Sequence, residues 1–194
     1  PVCVCASYVT KDDIDFLVKL GVRDSKKLTD ADMLKIGPQL MEKIPHSLLI
    51  VTPQKYNQVH EENNLNAIKA KLHNQAYINL AKKINLPSFK IIDQFTPESS
   101  YYRYIKNEPQ IIRGIHFETK AEDKYLSVAV GSIISRYGFL KTWEEMEQKY
   151  GITFPKGSGD KVDILAQEFV DRYGFERLGE VAKLHFKNTE KIRV

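Results

Sequence analysis

The sequence has 194 residues, of which 42% are hydrophobic and 28% are charged, and its formal net charge is +4. A chain of this length and composition can bury a core as one globular domain. It contains no run of the roughly 18 apolar residues that span a bilayer, and no charged and apolar leader opens it. We therefore expect a cytoplasmic protein rather than a membrane or secreted one.

The first third of the chain alternates apolar strands with capped helices. Thr10 with Asp13 and Thr29 with Asp32 form capping boxes, which open helices by satisfying free backbone N–H groups. The elements predicted in this part are strands at 1–9 and 46–52, helices at 11–20 and 29–43, and a loop at 22–27.

The rest of the chain is mostly helical, with two further strands. The predicted elements are a short helix from Pro53, helices at 66–83, 121–150, 162–173 and 176–183, strands at 89–95 and 111–117, an irregular Tyr-rich stretch at 96–110, and a loop at 154–161. Strands separated by helices predict an α/β domain with a mixed sheet covered by helices and a helical C-terminal portion.

The two cysteines, Cys3 and Cys5, lie on the first predicted strand at a spacing that places both on one face. We interpret them as small apolar side chains, because no histidine or further cysteine is near enough in the sequence to complete a metal or redox site.

Asp93 ends the apolar strand "FKIIDQF". Ligand sites in open α/β sheets lie outside the carboxyl ends of strands, which makes Asp93 a candidate site residue. A single aspartate in such a place more often caps a turn or accepts a salt bridge. Asp93 alone does not decide between a site residue and a structural one.

A second group of acids, Glu118, Glu122 and Asp123, precedes the long apolar helix at 121–150. The helix dipole favours carboxylates at a helix start without any function. These acids, however, are interspersed with basic residues, an arrangement that suits carboxylates holding hard cations beside a phosphate backbone. The basic residues are Lys120, Lys124 and Arg136.

Two basic segments could bind a polyanion. Residues 65–92 contain no Asp or Glu but five lysines, which are Lys69, Lys71, Lys82, Lys83 and Lys90. The segment "GVRDSKKLTD" offers cations and a hydroxyl to a phosphate, through Arg23, Ser25, Lys26 and Lys27. A solvated helix face and a generic basic loop are the alternatives.

Taken together and in this order, five segments resemble those of the type 2 ribonucleases H. The segments are "GVRDSKKLTD", "IIDQF", "TKAEDKYLSVAVGSIISRY", "FPKGSG" and "VAKLHFKNTEKI". They span nearly the whole chain. The segments "TKAE" and "PKGSG" make the sequence more similar to ribonuclease HIII than to ribonuclease HII, and the Tyr-containing C-terminal pattern of ribonuclease HII is absent.

The resemblance implies a ribonuclease H-like mixed sheet flanked by helices. It also implies an endonuclease that cuts the RNA strand of RNA/DNA hybrids with two divalent ions, Mg²⁺ or Mn²⁺, leaving 5′-phosphate and 3′-hydroxyl ends. Asp93 matches the third of the family's four acids. Glu122, ten residues before Ser132, matches the fourth, with Asp123 as the less favoured alternative. The residues carried over as substrate contacts are Arg23, Ser25, Lys26, Lys27, Ser132, Arg136 and Lys156.

The family's first two acids, an adjacent Asp-Glu pair, would lie upstream of Pro1. We therefore expect residues 1–194 to be a single catalytic domain truncated at its N-terminus and inactive by itself. The alternative is a non-catalytic domain that binds RNA/DNA hybrids. Nothing in the sequence indicates oligomerisation, so a monomer is expected.

Overall fold

The structure is a computed structural model that describes all 194 residues. Its strands are β1 (Val2–Ser7), β2 (His46–Val51), β3 (Lys90–Asp93) and β4 (Ile115–Glu118). Its α-helices are α1 (Ile14–Lys19), α2 (Asp30–Lys43), α3 (Pro53–His60), α4 (Leu65–Ala81), α5 (Glu98–Tyr104), α6 (Leu126–Tyr150), α7 (Asp160–Tyr173) and α8 (Phe175–Leu178). Short 3₁₀ segments cover Lys11–Asp13, Val22–Lys27, Ala121–Asp123 and Lys187–Lys191.

The chain forms two compact units. The larger unit contains Cys3–Ile50 and Asn63–Leu140, and the smaller contains Pro1–Val2, Val51–Glu62 and Lys141–Val194. A domain can hold more than one compact unit, so a single catalytic domain over 1–194 stays a prediction. None of the helices combines the length and the apolar character needed to cross a membrane.

The strands form two pairs, β1 with β2 and β3 with β4. The β3–β4 pair is parallel, and its register runs from Lys90 opposite Ile115 to Asp93 opposite Glu118. Both strands of this pair therefore end in a carboxylate at the same edge. The predicted α/β class with a helical C-terminal portion is confirmed.

The main core of the larger unit lies between α1, α2 and α6. Its buried residues include Leu17, Leu40 and Ile133, none of which is exposed to solvent. Gly131 allows α6 to approach β1, because a Cβ atom there would lie 2.9 Å from the Cys5 carbonyl oxygen. Desolvation raises the pKa of the Cys5 thiol to about 12, which agrees with its predicted role as an inert apolar side chain.

A second cluster of the larger unit holds the β3–β4 pair against α4 and α5. It is built from Ile92 and Ile115 on the strands, Ala70 on α4, and Tyr101 and Ile105 in and after α5. The helix α5 corrects the sequence prediction, which treated 96–110 as irregular. Segment 22–27 is likewise a 3₁₀ turn rather than an open loop.

The smaller unit packs Tyr150, Phe169, Val170 and Leu178 into a separate core. The helix predicted at 176–183 is shorter here, since α8 ends at Leu178. Beyond it the Asn57 side chain donates to the carbonyls of Gly179 and Ala182, at 3.0 and 2.9 Å. These bonds hold the following residues in turns.

Candidate functional site

Asp93 is exposed at the carboxyl end of β3, as the sequence predicted. Its Oδ1 atom accepts a hydrogen bond of 3.3 Å from the Ala121 backbone N–H. This bond places the strand end directly against the turn Ala121–Asp123. The predicted third and fourth acids are thereby brought to one place.

The turn that carries Glu122 and Asp123 begins at Lys120, whose φ of 55° is left-handed. The Glu122 Oε1 atom accepts a hydrogen bond of 2.7 Å from the Ser25 hydroxyl. Asp123 forms an ion pair of 2.7 Å with Lys26. The 3₁₀ segment Val22–Lys27 thus brings a hydroxyl and a cation to the two carboxylates.

The Lys26 ammonium links the carboxylates electrostatically. Its pKa is raised, first by the hydrogen bond with Asp123 and then by attraction to Asp123, Glu122 and Asp93. Asp93 bonds to the turn that carries Glu122 and Asp123, and Lys26 is attracted to all three acids, so we group them as the carboxylate centre (Asp93, Glu122 and Asp123). Such a centre attracts cations and repels phosphates.

Glu118 belongs to the same sequence cluster but serves a different role. Its carboxylate accepts hydrogen bonds from Lys124, from the Tyr125 hydroxyl and from His116. These bonds, that from Lys124 foremost, lower the pKa of Glu118 to about 2. A carboxylate whose oxygens already accept three protein donors is a structural group of the β3–β4 edge.

The other predicted substrate contacts are distributed differently. Arg136 forms a bidentate pair with Asp30, at 3.0 and 3.2 Å, and Lys27 lies 3.8 Å from Asp24. Arg23 is exposed, and Ser132 is half-buried on α6. Lys156 belongs to the smaller unit, where its ammonium lies 5.6 Å from the Trp143 ring centroid. Their roles as phosphate contacts stay predictions.

Three residues beside Asp93 were not singled out as site residues. Lys69 and His73, one turn apart on α4, both contact the ring of Phe95. Asp93 influences the pKa of each. The signal in the sequence was the acid-free segment 65–92, which contains Lys69 but does not distinguish it from four other lysines.

The carboxylate centre suits a hard divalent cation in the chemistry of its donors, since Mg²⁺ and Mn²⁺ prefer carboxylate oxygens. No group of three or more His, Cys, Asp or Glu side chains in the chain is placed so that it could hold a metal ion. Asp93 and Glu122 would therefore supply only some of the ligands of a metal centre, and the others would have to come from elsewhere.

Comparisons with known proteins identify related chains. The family model described as Ribonuclease HII matches residues 1–189. A ribonuclease HIII of Listeria monocytogenes is 43% identical over 195 residues, covering 98% of this chain and 63% of the relative. A ribonuclease HIII of Streptococcus gordonii is 47% identical over 192 residues, covering 98% of this chain and 65% of the relative.

Solved structures match the fold. A crystal structure of Bst-RNase HIII in complex with Mn²⁺ superposes with a TM-score of 0.93 at 39% identity, covering 97% of this chain and 63% of that one. The ribonuclease H2 from Pyrococcus horikoshii OT3 matches with a TM-score of 0.75 at 21% identity, covering 98% of this chain and 95% of that one, which indicates a shared fold. The chain spans less than two thirds of the length of the ribonuclease HIII relatives described above.

Proposed function

The chain belongs to the ribonuclease HII family, and from this premise we propose that it is the catalytic part of an endonuclease that hydrolyses the RNA strand of RNA/DNA hybrids. The observation that carries the proposal is the carboxylate centre, where Asp93 at the end of β3 bonds to the turn that carries Glu122, and Glu122 bonds to a basic segment. The similarity to ribonuclease HIII over nearly the whole chain supports the same reading.

Asp93 and Glu122 would hold divalent cations together with ligands from elsewhere in the complete protein. Two bound ions, Mg²⁺ or Mn²⁺, would supply an activated water and stabilise the leaving 3′ oxygen, so that the products carry a 5′ phosphate and a 3′ hydroxyl. The Ser25 hydroxyl orients the Glu122 carboxylate by its 2.7 Å hydrogen bond. Lys26 pairs with Asp123 and so holds that carboxylate away from the ligand set.

The substrate's phosphates need cations at the rim of this negative centre. Arg23, Lys26 and Lys27 lie on the 3₁₀ segment that also contacts Glu122 and Asp123. These residues bind phosphates without reading base identity, so little sequence preference is expected. An RNA/DNA hybrid is recognised by its shape and by its 2′ hydroxyls. A cytoplasmic location and a monomeric state stay predictions from the sequence.

The direct test is cleavage of end-labelled RNA/DNA hybrid, RNA duplex and DNA duplex by the complete protein with Mg²⁺ or Mn²⁺. We expect cuts in the RNA strand of the hybrid only, with 3′-hydroxyl ends that a polymerase can extend. Binding of the hybrid without any cleavage by the complete protein would favour the alternative, a non-catalytic hybrid-binding domain.

The assignment of Glu122 rather than Asp123 is separately testable. In the complete protein, Glu122→Gln should lower kcat by roughly 1,000-fold, because loss of a metal-binding charge costs several kcal/mol of transition-state stabilisation. Asp123→Asn should lower kcat by less than about 10-fold, since Asp123 is held by Lys26. Steady-state cleavage of one hybrid by both variants measures the difference. Loss of activity in Asp123→Asn alone would reverse the assignment.

A further inference from the structure

Lys69 is a half-buried lysine with no anionic partner in the chain. It forms no ion pair within 4.0 Å, and its ammonium lies 4.4 Å from the centroid of the Phe95 ring. Burial lowers the pKa of Lys69, and Asp93 opposes that effect. An ammonium removed from water usually has a carboxylate or several acceptors to compensate. For Lys69 the lost hydration is offset within the protein by the face of the Phe95 ring and by attraction to Asp93, which lies beyond ion-pair distance.

Neutral aromatic rings support this cation. His73, one turn after Lys69, stacks on Phe95 with 4.9 Å between ring centroids. The His73 Nδ1–H donates to the Lys69 carbonyl over 2.7 Å. Burial lowers the pKa of His73 to about 4, so the ring is uncharged at neutral pH and does not repel the ammonium. We call Lys69, His73 and Phe95 the α4 shelf.

The α4 shelf is fixed relative to the carboxylate centre by bonds between α4 and its neighbours. The Tyr77 hydroxyl donates to the Ile91 carbonyl over 2.6 Å, which ties α4 to β3 two residues before Asp93. Phe95 follows Asp93 by two residues and holds the ammonium from the other side. The position of Lys69 relative to the end of β3 is therefore set by the packing of α4 on β3 and by the contact with Phe95.

The other lysines of the acid-free segment 65–92 either bond to acceptors in the protein or lie far from Lys69. Lys71 donates to Asn63 and pairs with Glu108, Lys83 donates to the His46 carbonyl, and Lys90 donates to carbonyls of its own loop. Lys82 is exposed and lies 13 residues further along, about 20 Å from Lys69 along a helix axis. Among these five lysines, Lys69 combines partial burial, the absence of a hydrogen-bond acceptor in the protein and a contact with Phe95, two residues after Asp93.

We infer that Lys69 is a substrate-contact residue whose ammonium binds a backbone phosphate of the RNA strand next to Asp93. The inference rests on the proposed function. The carboxylate centre is negatively charged and repels a phosphate, so the strand approaches it most favourably where cations offset that charge. Lys26 supplies one cation from the 3₁₀ segment, and Lys69 supplies another from α4. A phosphate on Lys69 would fix the position of the strand at the carboxylate centre.

The test uses the complete protein with Lys69→Met, which keeps the apolar stem, and Lys69→Arg, which keeps the charge. Lys43→Met is the matched control, because the Lys43 ammonium also lies over a ring, at 4.1 Å from the Phe16 centroid, but outside the proposed site. Affinity for a fluorescent RNA/DNA hybrid is measured with Ca²⁺ in place of Mg²⁺ over a range of salt concentrations. KM, kcat and Tm are measured alongside.

We expect Lys69→Met to make the slope of log affinity against log salt shallower by about 0.9, the loss of one phosphate contact. Its KM should rise by about 10-fold with a smaller change in kcat, and Lys69→Arg should restore both the slope and KM. Lys43→Met should leave slope and KM unchanged.

An unchanged slope in Lys69→Met would overturn the inference, and a lowered Tm beside it would identify Lys69 as a structural counter-charge for Asp93. Lys69→Gln gives the same comparison if the methionine variant does not fold. Failure of the proposed function looks different, since the wild-type protein itself would then not cleave the hybrid with Mg²⁺ or Mn²⁺. A wild-type protein that neither binds nor cleaves the hybrid would overturn both.

Discussion

Replacing Asp93 by Asn in the complete protein should lower the rate of hybrid cleavage by roughly three orders of magnitude, with little change in hybrid affinity. The substitution preserves the shape of the side chain and leaves an oxygen that can accept the Ala121 N–H. It removes only the negative charge that a divalent cation requires. Because the residues predicted to contact phosphates are different ones, we expect the loss in kcat rather than in binding.

Glu118→Gln is the matched control for Asp93→Asn. Glu118 lies directly opposite Asp93 in the β3–β4 register, so both substitutions neutralise a carboxylate at the same edge. The Glu118 oxygens are already bonded to protein donors, and we expect its variant to lose stability while kcat stays within about 10-fold of wild type. Single-turnover cleavage and equilibrium binding of one hybrid compare the variants. Ordinary turnover by Asp93→Asn would remove Asp93 from the metal-binding set.

The placement of Asp93 could be predicted because its signal is local. An apolar segment that ends in a charged residue, flanked by Pro87 and Pro97, predicts a buried strand with a carboxylate at its end. The same holds for α2, where Thr29 and Asp32 form the predicted capping box. In both cases a few adjacent residues determine the local structure.

Other elements depend on residues that are distant in the sequence. The strand predicted from 111 begins only at Ile115, because the Ile112 N–H donates to Asn74 on α4, 38 residues away, instead of a strand. Asn57 shortens the helix after Phe175 in the same way, by binding backbone groups more than 120 residues away. Hydrogen bonds between a side chain and backbone groups so far away in the sequence leave no periodic pattern from which they could be predicted.

The helix α5 was missed for a different reason. Residues 96–110 contain two prolines and several polar residues typical of a loop, and their tyrosines show no clear helical period. In the structure Tyr101 is fully buried and contacts the rings of Tyr102, Phe95 and Phe117. The helix is therefore stabilised by aromatic packing against β4 and the segment after β3, which overrides weak local propensity.

The candidate site itself was predicted from the family resemblance more than from local pattern. Ser25 and Lys26 reach Glu122 and Asp123 across 97 residues, and no spacing rule connects segments so far apart. The resemblance placed these segments in one site, and the structure brings them together. It did not single out Lys69, because which lysine of α4 contacts Phe95 depends on how the helix packs on β3.

The 194-residue chain by itself should cleave RNA/DNA hybrids at no more than background rate, while the complete protein cleaves them readily. Asp93 and Glu122 are too few to hold two ions, and the chain contains no group of three or more side chains that could hold a metal ion.

This chain should nevertheless fold and bind a hybrid, because all three core clusters and the basic segments lie within it. Circular dichroism, hybrid binding in Ca²⁺, and cleavage in Mg²⁺ or Mn²⁺ should be compared between the chain and the complete protein at equal concentration. Activity confined to the complete protein would locate the remaining metal ligands outside residues 1–194. Equal cleavage by the two would show that two carboxylates suffice, and a two-ion mechanism held by four acids would then be wrong for this protein.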